Sequence, residues 1–96
     1  MFIDTDANEQ IIENAIELSI PLSFRYLRDA TPGVDAPPAR RVVSPYELRE
    51  AKDGGLLMVC WSHASEGIRA FKLGLIGQLQ SEYENEEFIH PVEVEA

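Results

Sequence analysis

Ninety-six residues make one domain with a modest core and no room for a second. An apolar fraction of 45% excludes wholesale disorder, and a net charge of -9 argues against a broad nucleic-acid-binding field. The single cysteine, Cys60, cannot form an internal disulfide, and no stretch carries the roughly 18 apolar residues of a membrane span or the basic start of a signal peptide. A cytoplasmic, membrane-independent domain is expected.

The segment DTDANEQIIENAIELS reads as an amphipathic helix, over about residues 7–18. Asp6 with Glu9 has the spacing of a capping box, and Ile11, Ile12, Ala15, Ile16 and Leu18 form an apolar stripe at helical spacing. Pro21 then ends helical geometry. Beyond it the period falls to two. In IPLSFRYLR, Leu22, Phe24 and Tyr26 alternate with Ser23, Arg25 and Leu27, as in a strand. DATPGVDAPPA is a loop by its glycine and three prolines.

ARRVVSPYELREA reads as a second strand in which Pro45 demands an edge, a bulge or a bend. It poses a question, because Arg40 and Arg41 point to opposite faces of any strand and each cation must meet something. AKDGG is a turn, LLMVCWSH a third strand, ASEG a turn, IRAFKL a fourth strand and IGQLQSEYE a fifth. The third strand is apolar on both faces, Leu56, Met58 and Cys60 on one and Leu57, Val59 and Trp61 on the other. The interior of a small barrel takes one face, and the helix or a second subunit takes the other. The expected fold is mainly β, with one N-terminal helix and a five-stranded β-barrel over about residues 20–83.

The charge is unevenly placed. All eight Lys and Arg lie between Arg25 and Lys72, while residues 1–20 hold five acids and residues 77–96 hold six, with no base in either end. Solvated, solubilising ends are one reading; screening or mimicry of a polyanion beside a basic centre is the other. Residues 84–96 are read as an acidic tail, with EYENEE a charged spacer and VEVE either a disordered terminus or a strand that adds to an edge.

Four segments in order resemble the WYL domain: AIELSIPLSFRY, the Arg-x-Val-x-Pro of RVVSPYEL, LLMVCWSH at the place of the naming Trp-Tyr-Leu run, and GIRAFKLGLI. Residues 1–83 are thus expected to form a WYL-like domain. The tripeptide reads Leu56-Leu57-Met58 here, Trp61 and His63 fall where the family has an aromatic and a histidine, and a family Asp-Arg pair reads Gly74-Leu75. The resemblance implies an Sm-like small barrel and a ligand-sensing role in transcription regulation or phage defence, as a stand-alone bacterial or phage accessory protein acting on a protein partner.

The resemblance also implies an anion site at Arg41, Arg69, Lys72 and His63 with Tyr26 beside them, for short single-stranded nucleic acid or a nucleotide. Arginine takes phosphate bidentately, and tyrosine offers a ring face and a hydroxyl. The structural alternative pairs Arg41 and Arg69 with Glu47, Glu66 or other acids on neighbouring strands. Tyr46 and Trp61 read as core or interface, and Cys60 as a buried hydrophobe. Cys60, His63 and His90 lack the paired spacing of metal ligands, and no phosphate loop or nucleophile motif occurs, so neither enzyme activity nor a cofactor is expected. A homodimer is expected from the surplus apolar surface. The alternative function is an interaction module whose acidic surface binds a basic partner after loss of the ligand site.

Overall fold

A computed structural model describes residues 3–91. Helix α1 spans Thr5–Leu18 and is capped by Asp4, whose carboxylate accepts from the Ala7 amide at 3.0 Å. The cap lies two residues before the expected Asp6, which instead occupies the first turn and complements the helix dipole. At the other end Ser19 adopts φ 55°, and the Ile20 amide donates back to the Ala15 carbonyl at 2.9 Å. This left-handed stop precedes Pro21 and leaves the proline nothing to break.

Five strands follow: β1 Leu22–Tyr26, β2 Arg40–Glu50, β3 Leu56–Ser62, β4 Gly67–Lys72 and β5 Ile76–Ser81. They form one antiparallel sheet in the order β4-β3-β2-β1-β5. Among the described residues no ladder joins β4 to β5, so the sheet is not hydrogen-bonded into the closed barrel expected from the sequence. A 3-10 turn, Leu73–Leu75, carries the chain from one edge to the other. Four Cα steps span at most about 15 Å, so the edges must approach closely at that end. The sheet is open but strongly coiled.

Register decides what each face carries, since directly opposed residues point the same way. Phe24 opposes Arg41, Leu22 opposes Val43, Met58 opposes Phe71 and Cys60 opposes Arg69. The inner face therefore holds Leu22, Phe24, Tyr26, Val43, Met58, Cys60 and Phe71, all buried, and Ile12 and Ala15 of α1 pack into the same core. The helix thus covers the inner face, and Leu57, Val59 and Trp61 on the outer face stay half-buried without it. Its apolar stripe is also narrower than expected, for Leu18 is 65% exposed.

Two irregularities bend the sheet. Pro45 opposes Cys60 while Glu47 opposes Val59, so β2 bulges at Tyr46, directly after a proline whose missing N–H interrupts the ladder. In β5, Gln78 (φ 51°) and Leu79 together face Phe24, a second bulge. After β5 the chain turns at Glu82–Glu86 and returns over the outer side of β2, where the Ile89 amide donates to Ser44 Oγ at 2.9 Å and the Tyr46 hydroxyl donates to the Ile89 carbonyl. The EYENEE segment therefore supplies this turn, and VEVE lies outside the described residues.

Tyr26 ties β1 to the edge strand β4, because its hydroxyl accepts from the Lys72 amide at 3.1 Å across the core. Tyr26→Phe strands that amide and should cost about 1–3 kcal/mol in urea denaturation, whereas Leu18→Ser should change stability by no more than about 0.5 kcal/mol. Burial pushes the Cys60 thiol up from 9.0 to about 12. Cys60 should therefore resist alkylation at neutral pH until denaturant opens the core. Rapid labelling of the native protein would contradict this burial.

Candidate anion-binding site

The inner face ends in cations. Arg41 and Arg69 stand on β2 and β4 at positions whose register places both on the Phe24–Phe71 side. Together with Tyr26, Arg28, Ser65 and Phe71 they line an open cleft of about 340 Å³. Three of the five residues expected at an anion site thus share one cleft.

Arg41 is held from two directions. Its guanidinium carbon lies 5.2 Å above the Phe71 ring, and Nε and Nη2 donate to Asp29 at 2.6 and 2.9 Å. The hydrogen bonds from Arg41 hold the Asp29 carboxyl below its ordinary 3.8, and Asp29 in turn raises Arg41. A depressed carboxylate stabilises the fold above its unfolded value and loses that contribution as pH falls through the folded one. The clasp is therefore intact at neutral pH and loosens only in acid below 3.8. The partner of Arg41 is neither Glu47 nor Glu66; Glu47 pairs with Arg49. Among the described residues, Arg28 and Arg69 have no carboxylate partner.

Lys72 and His63 lie elsewhere. Lys72 follows Phe71 on β4 and so points to the opposite face, where Nζ pairs with the exposed Asp53 at 3.2 Å. It lines a larger cleft of about 540 Å³ that includes Arg28, Leu56, Gly74 and Leu75. Only its backbone amide touches the Arg41 cleft, through Tyr26. His63 Nε2 lies 2.8 Å from Ser44 Oγ, and Nδ1 lies 3.9 Å from Glu86. With Arg40, Arg41 and Glu86 it borders a third cleft of about 340 Å³.

Arg40 answers the other half of the sequence question. Nε donates to Ser23 Oγ at 3.0 Å, Nη2 donates to the Ser23 carbonyl at 3.0 Å and to the Gln78 carbonyl, and Ser23 Oγ donates to Glu82 at 2.9 Å. This cation pins the β5 bulge to β1 and β2. Arg28, by contrast, is a site-lining residue that the sequence reasoning passed over. Its signal was a base directly after the first strand, in the turn Leu27–Asp29 whose last residue clasps Arg41. No group of three or more His, Cys, Asp or Glu arranged to hold a metal ion occurs among the described residues.

The comparisons with known proteins give a fold and, from the family model alone, a family. A solved structure, proteasome accessory factor B/C (PafBC) of Arthrobacter aurescens, superposes with a TM-score of 0.68 at 22% identity, over 86% of this chain and 12% of that one. The chain therefore spans a small part of that relative, and the likeness is one of fold. No curated protein matches the sequence. The family model of the WYL domain matches residues 8–81, from the first turn of α1 to the end of β5, and the chain belongs to the WYL domain family.

Proposed function

We propose that this WYL domain is a regulatory module that binds a small anionic ligand, a nucleic-acid fragment or nucleotide, in the cleft of Tyr26, Arg28, Arg41 and Arg69. The observation that carries the reading is convergence: Arg41 and Arg69 from separate strands line one cleft with Arg28, and two of the three cations lack a carboxylate partner among the described residues. Phosphate is the anion that a cluster of guanidinium forks suits best. The solved relative is by its name an accessory factor, in keeping with a module that acts through a partner in transcription or defence. The coiled sheet, with its edges brought together by Leu73–Leu75, is read as the Sm-like small barrel.

A second reading has its own support. Asp29 already occupies two donors of Arg41, and the net charge is -9. Both features favour an interaction module facing a basic partner. A homodimer would use the outer side of β3 and β4, where Trp61 opposes Ile68, which is 58% exposed.

Anisotropy with short single strands at several salt concentrations separates the readings. A contact to about two or three phosphates gives a log–log salt slope of roughly -2. Arg41→Ala or Arg69→Ala should each lose about 1–3 kcal/mol of binding. Removing residues 84–96 should tighten binding most at low salt, because Glu86 borders the Arg40–Arg41 cleft. Asp29→Asn should also tighten binding by releasing the Arg41 fork. If the intact and truncated proteins both ignore nucleotides and oligonucleotides at low salt, the interaction module is the better account. Light scattering that shows only monomer at tens of micromolar (roughly where weak dimers form) would remove the dimer.

A further inference from the structure

Two clefts share one side chain. Arg28 lines both the polar cleft of Arg41, Arg69 and Ser65 and the larger cleft of about 540 Å³ beside Leu56 and Leu75. Its backbone is fixed by the 3-10 turn, in which the Ala30 amide donates to the Leu27 carbonyl at 3.0 Å, and by Asp29, clasped to Arg41. The larger cleft differs in chemistry from the smaller. Half-buried Leu56 and Leu75 give it apolar walls, while Thr5 adds a hydroxyl and Asp53, paired with Lys72, a carboxylate.

We propose that the two clefts form one bipartite site for a nucleoside phosphate, with the phosphate held by Arg69 and Arg28 and the base laid against Leu56 and Leu75. The inference rests on the anion-binding reading above and fixes the ligand's second half and its direction. In the larger cleft Asp53 neutralises Lys72, whereas Arg28 and Arg69 beside the smaller one have no carboxylate partner among the described residues, so the charged end belongs with the arginines. A bare phosphate would leave the apolar walls wet. An alkyl phosphate would cover the leucines but make no use of the Thr5 hydroxyl or of the polar edge formed by the Lys72–Asp53 pair. A base supplies a flat apolar face and an edge of donors and acceptors, and uses both.

The test is calorimetric titration of the full chain with inorganic phosphate, hexyl phosphate and adenosine 5′-monophosphate. Gly74→Gln is the informative variant, since Gly74 lines the larger cleft and a Cβ there meets nothing within 4 Å. The nucleotide should bind roughly tenfold tighter than inorganic phosphate. Gly74→Gln, which fills the cleft without adding charge, should abolish that advantage and leave inorganic phosphate unchanged, while Arg28→Ala should weaken both. If phosphate binds and the nucleotide gains nothing, or Gly74→Gln leaves the gain intact, the bipartite site is wrong and the anion site stands. Hexyl phosphate binding as tightly as the nucleotide overturns the base assignment. Binding by none of the three probes removes this proposal together with the anion reading beneath it.

Discussion

Three aromatic rings hold together two strands that share no ladder. Phe24 and Tyr26 come from β1 and Phe71 from β4, with β2 and β3 between them in the sheet. Their centroids lie 4.9–6.1 Å apart, each pair edge to face. Such contacts require the sheet to coil until its first and fourth strands meet across the core. An open five-stranded sheet has no hydrogen-bonded reason to stay coiled. The aromatic triangle, with the hydroxyl of Tyr26 fixed to the Lys72 amide, supplies one.

The same triangle fixes where charge can sit. Phe71 is 5% exposed, and one of its faces is covered by the guanidinium of Arg41. That cation therefore stands at the boundary between core and solvent, its position set by the ring beneath and by the carboxylate of Asp29 beside it. Arg69, next to Phe71 on the same face of β4, reaches the same boundary by register alone. An anion approaching this end meets Arg41 already placed on a firm base, and the entropic cost of ordering that cation is partly met by folding.

What the sequence made legible is what side-chain periodicity encodes. Leu22, Phe24 and Tyr26 alternate because one face of β1 is buried, and Pro45 marks a bulge because it has no N–H for the ladder. The period also separates Lys72 from the arginines: it follows Phe71 directly and must face the other way, a consequence that grouping by charge obscured. Other features depend on contacts distant along the chain. Nothing local in IGQLQS says that β5 pairs with β1 rather than β4. The Arg41–Asp29 clasp depends on the turn after β1, and the choice of Asp4 over Asp6 as cap depends on where α1 must begin for Asn8 to reach the Ile76 carbonyl.

Strand order has a further consequence, for chain entropy. The β2–β3 and β3–β4 ladders join neighbours in sequence through short turns, such as that between Glu50 and Leu56. The β1–β5 ladder instead brings Tyr26 against Ile76 and encloses the whole β2–β4 meander. Loop-closure entropy grows with the logarithm of loop length, so this ladder carries the larger ordering cost. The contacts that repay it join the far ends of that loop: Asn8 to the Ile76 carbonyl, Arg40 to the Gln78 carbonyl and Ser23 to Glu82. The last strand is retained by its ladder to β1 and by side chains reaching to it from the first half of the chain, so its attachment is the most non-local part of the fold.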